Sequence, residues 1–180
     1  SRGLGDVYKR QPQSGTVVAQ EKMQVLERMI TDALQIGQYD FASLVYVRVL
    51  LEIEAIKLCA RNCTAEDLEN IERALEECEA KFYTGERVSK DFAYHQALAR
   101  GAHNPVIASM LLVITPDVLR YYQRYRVCTV PQEEVYFEHR ELLRCVREKD
   151  EEGAVAMQRR HLKSLSEFAA AFNDENHFLE

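Results

Sequence analysis

Residues 41–62, FASLVYVRVLLEIEAIKLCARN, decide how this chain folds. The stretch contains neither glycine nor proline, the residues that most disfavour a helix interior. Its apolar side chains are spread around nearly all sides of a helix, and a helix with that pattern lies inside a core rather than on its surface. We therefore predict a central helix over these residues.

Apolar residues recur at helical spacing on both sides of this stretch, which indicates further helices. The chain has only 7 glycines and 4 prolines, and few of either favours a helical protein. The expected helices are Met23 to Leu34; Phe41 to Asn62; one opened by a capping box of Thr64 and Asp67; one ending near Gly101; one opened by Asn104-Pro105 and kinked at Pro116; one opened by Val130-Pro131; and one from Glu151 to Phe172 capped by Asp150. The predicted fold class is all-α, an antiparallel helical bundle of about six to seven helices.

Composition excludes several classes of function. A net charge of -6 argues against nucleic-acid binding by the visible chain itself, because such domains usually carry a basic surface. No apolar run approaches the ~20 residues needed to cross a bilayer, so no membrane partner is expected. The five cysteines are odd in number and scattered, which predicts a reducing compartment, the cytoplasm, rather than a disulfide framework.

The first 19 residues, SRGLGDVYKRQPQSGTVVA, differ from the rest of the chain. Their one ordered-looking piece is a turn entering a short strand at residues 14–18. Because a lone strand is not stable in water, its pairing partners are expected to be missing. We accordingly divide the chain into residues 1–19, a remnant or non-native segment, and residues 20–180, one helical domain.

Four polar residues on predicted helices suggest a metal site. Asp91 and His95 are four residues apart and so share a helix face, whereas His139 and His161 lie among apolar residues at helical spacing. Unpaired buried polar groups are costly, and one divalent ion would satisfy all four. Imidazole with carboxylate suits Zn, Ni, Mn or Fe. The alternative is that the histidines are core residues satisfied by ordinary hydrogen bonds.

Arg48 is the second candidate, because it lies mid-helix among apolar neighbours and a buried arginine needs a partner. Glu52, four residues on, would be an intrahelical partner. Arg48 could equally clamp the carboxylate of a ligand, and both interactions can coexist. No catalytic constellation accompanies these residues: a phosphate-binding glycine loop and the zinc-protease motif are both absent from the sequence.

From about Met23 to Ala170 the chain resembles the C-terminal effector domain, of the FCD class, of GntR-type bacterial transcription regulators of the FadR subfamily. The matching pieces are VYVRVLLEIEAIKLCARN, TAEDLENIERAL, KDFAYHQALARGAHNPVI and FEHRELLRCVREKDEEGAVAMQRRHL. The resemblance implies that Asp91, His95, His139 and His161 bind one divalent metal ion. Tyr94 stands where the family usually has phenylalanine, which leaves the ligands intact.

The resemblance also implies a function. The chain would be the ligand-sensing, dimerising half of a regulator, binding a small organic acid through the metal and Arg48, and it would not be an enzyme. It would form a homodimer and reach DNA only through a missing N-terminal winged helix-turn-helix, of which QSGTVVA resembles the wing, while residues 1–11 match nothing in the family. Two alternatives remain at this point: a metal-dependent hydrolase that uses the same ligands, and a metal-free helical interaction module.

Overall fold

The computed structural model describes residues 24–25, 28–29, 40–81, 83–125 and 131–172. Residues 40–81, 83–125 and 131–172 form seven helices and no strand, which confirms the predicted all-α bundle. The helices are α1 (Phe41–Asn62), α2 (Ala65–Ala80), α3 (Arg87–Gly101), α4 (Pro105–Tyr125), α5 (Gln132–Glu148), α6 (Glu151–His161) and α7 (Lys163–Phe172).

Helix α1 is the central helix that its apolar pattern predicts. It contacts α3, α4, α5, α6 and α7. Its core-facing side buries, among others, Phe41, Val45 and Ile56, each no more than 2% exposed. One part of its surface is left exposed in the described residues, since Tyr46 and Leu50 are 65% and 51% exposed.

Most of the predicted helix ends are confirmed, because the capping residues act as their sequence positions suggest. Thr64 and Asp67 form the reciprocal capping box that opens α2. Asp150 accepts a hydrogen bond from the Gly153 amide at the start of α6, and Asn104 accepts one from the Ile107 amide at the start of α4. Helix α4 continues through Pro116.

One predicted element is wrong: the last helix is not continuous from Glu151 to Phe172. It divides at Leu162 into α6 and α7, with backbone angles of φ -88 and ψ 0 at that residue. Both the amide and the hydroxyl of Ser166 donate to the Leu162 carbonyl, each at 3.0 Å, which satisfies the backbone just after the break. No glycine or proline marks the position, so the apolar periodicity alone does not reveal it.

Helices α3 and α1 approach each other closely at Gly101. A Cβ atom on Gly101 would come within 2.8 Å of the Cys59 Sγ atom. Glycine therefore lets the end of α3 lie against α1, and α3 is the helix that carries Asp91 and His95.

The predictions for Met23 to Leu34 and for the strand at residues 14–18 fall largely or wholly outside the described residues, as do Cys128 and Val130. Within the predicted first helix, Gln24, Val25, Arg28 and Met29 are helical. Among the helices that the structure describes, none is both long enough and apolar enough to cross a membrane.

Candidate metal centre

Three histidine side chains from three helices meet inside the bundle. The Nε2 atom of His161 on α6 lies 3.2 Å from that of His95 on α3 and 3.3 Å from that of His139 on α5. His139 is completely buried and His95 is 7% exposed, while His161 is half-buried. The helical periodicity of three separate segments thus brings the three predicted histidines to one point.

The outer nitrogens of two of these rings are held by carboxylates. Glu52 on α1 places Oε2 3.2 Å from His95 Nδ1, and Glu138 on α5 places Oε2 3.0 Å from His161 Nδ1. A carboxylate accepts but does not donate, so each pair places a proton on Nδ1. In the neutral rings the Nε2 lone pairs then point inward, which is the arrangement that metal-binding histidines adopt.

This arrangement fits a bound metal ion. When both rings are neutral, two inward lone pairs 3.2 Å apart repel each other unless a cation, either a metal ion or a proton on one of the rings, lies between them. Two nitrogens bound tetrahedrally to zinc at 2.0–2.1 Å are roughly 3.4 Å apart, close to the separations found here. The other nitrogen of the buried His139 ring, Nδ1, has no hydrogen-bond partner among the described residues.

Asp91 lies beside His139 at the edge of the cluster. Its Oδ1 atom is 3.6 Å from His139 Nε2, too far for a hydrogen bond but near enough to share an ion. Its side chain is 26% exposed, so it lies at the solvent side of the cluster. The structure therefore groups the three predicted histidines and places Asp91 beside one of them, in a second group with Cys78 and His139.

Burial and neighbouring charges shift the pKa values of these groups in opposite directions. Burial raises the pKa of Glu52, but the charges of Arg48 and His95 outweigh it and hold the pKa well below its usual range. Burial lowers the pKa of His95, but Glu52 outweighs burial and raises it. Burial, followed by the charge of His161, keeps the pKa of His139 well below its usual value, so that this ring is neutral and has a free lone pair.

Arg48 pairs with Glu52 within α1, as one of the two sequence readings predicts. Its Nε atom donates to Glu52 Oε1 at 2.6 Å, and both side chains are about 5% exposed. Glu52 also accepts from Gln158 Nε2 at 2.7 Å. Arg48 therefore contacts the histidine cluster through Glu52, while its two terminal nitrogens make no hydrogen bond to the described residues.

Sequence reasoning missed two residues that orient the cluster. Glu138 is 4% exposed and links His161 to Arg160, whose Nε atom donates to it at 3.0 Å. Gln158 is 1% exposed and steadies Glu52 from α6. Glu138 directly precedes His139, a spacing that places the two side chains in different directions on a helix, and no local signal connects Gln158 with Glu52, 106 residues away.

Tyr94, the one departure noted in the sequence, has a structural part in the cluster. Its ring is fully buried and its hydroxyl donates to the His139 carbonyl at 2.8 Å. This bond ties α3 to α5 at the level of the metal candidates. A phenylalanine at this position could not form it.

These features define a class of protein. A family model for the FCD domain matches residues 43–164, and the chain belongs to the FCD domain family. The match confirms the resemblance to an FCD-class effector domain.

Two curated relatives are regulators of transcription. The chain is 27% identical over 183 residues to the HTH-type transcriptional regulator LutR of Bacillus subtilis, covering 97% of this chain and 82% of that protein. It is 28% identical over 131 residues to the galactonate operon transcriptional repressor of Escherichia coli, covering 67% of this chain and 56% of that protein.

Solved structures agree on the fold. The Streptococcus agalactiae GntR structure matches with a TM-score of 0.62 and 23% identity, over 71% of this chain and 58% of that one. E. coli McbR/YncC matches with a TM-score of 0.57 and 19% identity, over 72% and 67%. At these identities the likeness concerns the helical bundle alone.

Proposed function

We propose that this chain is the effector-binding and dimerising half of a bacterial transcription regulator of GntR type, in the FadR subfamily, and that it senses its effector through a bound divalent metal ion. DNA would be bound by a winged-helix domain outside the described residues. The FCD domain match and the two regulator relatives support this reading. They equally favour a sensor over an enzyme, and the cytoplasm, where bacterial DNA lies, as its compartment.

The observation that carries the metal proposal is the convergence of three imidazole Nε2 atoms at 3.2 and 3.3 Å, with carboxylates behind two of the rings. His95, His139, His161 and Asp91 would hold the ion. When bound, the ion would supply a positive charge to which an anionic ligand can coordinate. Zn, Ni, Mn and Fe all suit this donor set.

A small organic acid is the proposed effector class. Arg48 supports this because its two terminal nitrogens remain available for a carboxylate while Nε is held by Glu52. The Arg48–Glu52 pair is also joined to His95, so an anion that engages Arg48 acts on the same network that orients a metal ligand.

The network also suggests how binding could be transmitted. Ligands come from α3, α5 and α6, and their carboxylate partners from α1 and α5, so the cluster joins four helices. An effector that prefers one arrangement of these helices would shift the population toward it. In a homodimer, that shift would change the spacing or freedom of the two DNA-binding heads.

The test is elemental analysis of the purified chain by plasma mass spectrometry, before and after chelation, with the melting temperature followed in parallel. We expect about one ion per chain and a lower melting temperature after chelation, since an ion that binds only the folded state stabilises it. His103→Ala is the matched control, because His103 also pairs with a carboxylate but lies away from the cluster. Metal-free protein that ignores added Zn, Ni or Mn would instead favour a metal-free helical module.

The effector part is tested by adding organic acids to the metal-loaded protein and recording thermal shifts. Arg48→Lys keeps a positive charge beside Glu52 but removes the planar guanidinium group, which can bind a carboxylate through two hydrogen bonds. The variant should therefore show a smaller rise in melting temperature with an acid, while its metal content stays the same. An undiminished shift in Arg48→Lys would remove Arg48 from the ligand site. Turnover of an ester or amide by the metal-loaded protein would favour the hydrolase alternative.

A further inference from the structure

Cys78 is a buried thiol on α2 that lies against the candidate metal centre. Its side chain is 1% exposed. Its sulfur, an oxygen of Asp91 and a ring nitrogen of His139 all lie within 4.8 Å of one another. Helix α2 contacts α3 and α5, which carry Asp91 and His139, yet α2 supplies none of the four predicted ligands.

The placement of His139 and Asp91 also favours a bound ion on this side of the cluster. The His139 ring is completely buried. Its Nε2 atom lies 3.6 Å from Asp91 Oδ1, beyond hydrogen-bond distance. The sulfur, the carboxylate and the imidazole are thus close to one another, although no hydrogen bond joins His139 to Asp91. Ligands of one metal ion lie in this way, because the ion rather than a hydrogen bond connects them.

We propose that Cys78 is a further metal ligand, which joins Asp91 and His139 when a thiophilic divalent ion such as Zn²⁺, Co²⁺ or Cd²⁺ is bound. The proposal rests on the metal-binding function proposed above and extends it. The donor set then contains sulfur, oxygen and nitrogen. The softness of sulfur would bias the site toward these ions and away from Mn²⁺.

The distances require only a small adjustment. With zinc–sulfur at about 2.3 Å and zinc–nitrogen or zinc–oxygen at about 2.1 Å, two ligands that subtend roughly 109° at the ion are roughly 3.6 Å apart. The three atoms lie within 4.8 Å of one another, so each pair would close by about 1.2 Å at most. Coordination is a simple exchange: the S–H bond breaks, its proton leaves to solvent, and a sulfur–metal bond forms. No oxidant or reductant is needed. Without an ion the thiol stays protonated, since burial raises the pKa of Cys78 to about 12.

Cobalt substitution tests this directly. The chelated chain is loaded with Co²⁺ and its absorption spectrum is recorded. Visible d–d bands report that cobalt is bound, whereas an intense near-ultraviolet thiolate-to-cobalt band reports a sulfur ligand. We expect both in the wild type. Cys78→Ser should keep the d–d bands and lose the near-ultraviolet band, and it should release one fewer proton per ion.

Three control variants exclude the other described thiols. Cys145→Ser, on α5, removes a thiol that is also buried and free, and it should keep both bands. Cys59→Ser and Cys63→Ser should do the same. A wild-type spectrum with d–d bands but without the thiolate band overturns the ligand role of Cys78 and leaves the four-ligand site intact, whatever the variants do.

Affinity gives a second measurement that does not depend on spectra. Cys78→Ser should weaken Cd²⁺ binding by about tenfold or more, while Mn²⁺ binding stays within about twofold, because only the soft ion gains from sulfur. Equal losses for both ions would overturn the proposal and indicate a structural role for the thiol. Failure of the wild type to bind any of these ions would overturn both this inference and the metal-dependent function.

Discussion

Two kinds of histidine–carboxylate pair occur in this bundle, and only one of them belongs to a candidate metal centre. At the corner between α3 and α4, His103 Nε2 lies 2.7 Å from Asp67, with side chains 49% and 20% exposed. In the interior, Glu52 and Glu138 hold His95 and His161 with side chains no more than 11% exposed. The interior pairs differ because the Nε2 atoms of His95 and His161 approach each other to 3.2 Å, and a third histidine, His139, places its own Nε2 3.3 Å from that of His161.

The comparison shows that a carboxylate beside a histidine is not by itself evidence of a metal site. At the corner, the carboxylate of Asp67 also completes the capping box of α2, so its contacts are explained by helix capping. In the interior, the carboxylates fix the ring protons on Nδ1 and leave lone pairs facing each other. Four predictions separate these two situations.

The largest effect is expected when an interior histidine is removed. His139→Ala should abolish stoichiometric metal binding, with the affinity falling by more than about 100-fold, since even partners that only orient a ligand contribute 10- to 100-fold. His161→Ala should behave in the same way, and His103→Ala should keep the metal. Metal content after gel filtration is the measurement. Full metal content in both His139→Ala and His161→Ala would show that the cluster is not the site.

The second effect is on stability, because Glu52 is a buried carboxylate shared by three partners. Glu52→Leu leaves the buried Arg48 without a counter-charge and removes the partner of Gln158 and His95. We expect the free energy of unfolding to fall by about 3–5 kcal/mol. Urea unfolding of the metal-free protein measures it, which keeps the stability effect separate from metal loss. The double variant Arg48→Met with Glu52→Leu should recover much of that loss; a double variant as unstable as the single one would contradict this account.

The third effect is on metal affinity without loss of a ligand. Glu138→Gln keeps the shape of the side chain but weakens its hold on the Nδ1 proton of His161. The metal affinity should fall by about 10- to 100-fold, as measured by competition with a chelating dye. Glu141→Gln on the same helix is the control, because Glu141 binds Arg144 and not a histidine. An affinity within twofold of the wild type would remove Glu138 from the site.

The sequence was sufficient for those features that depend on neighbours within one or two helical turns. The caps at Thr64 and Asp150, and the shared face of Asp91 and His95, are local and were predicted. The roles of Glu138 and Gln158 were not, because their partners lie 23 and 106 residues away. The break at Leu162 was also missed, because tertiary packing and the Ser166 hydroxyl, rather than a glycine or proline, allow it.

The smallest effect concerns the exposed corner, where the comparison predicts acid sensitivity without any link to metal. Burial raises the pKa of Asp67, but hydrogen bonds from Thr64 and His103 outweigh it and lower the pKa from its usual 3.8. A carboxyl group whose pKa is lower in the folded state stabilises the fold fully above its unfolded pKa, and this contribution is lost as the pH falls through the folded pKa. Asp67→Asn should therefore be less stable than the wild type by about 1 kcal/mol near pH 5.

That difference in stability should shrink near pH 3, which lies below the usual pKa of 3.8, because the unfolded wild-type chain there binds a proton that the folded state, with its lower pKa, binds less readily. Urea unfolding of both proteins at the two pH values checks it, and a difference that stays constant would mean that Asp67 acts through shape rather than charge. Metal content should be equal in the two proteins at neutral pH. If Asp67→Asn lost metal, the His103–Asp67 pair would be coupled to the candidate metal centre. That result would contradict the distinction between the two kinds of histidine–carboxylate pair.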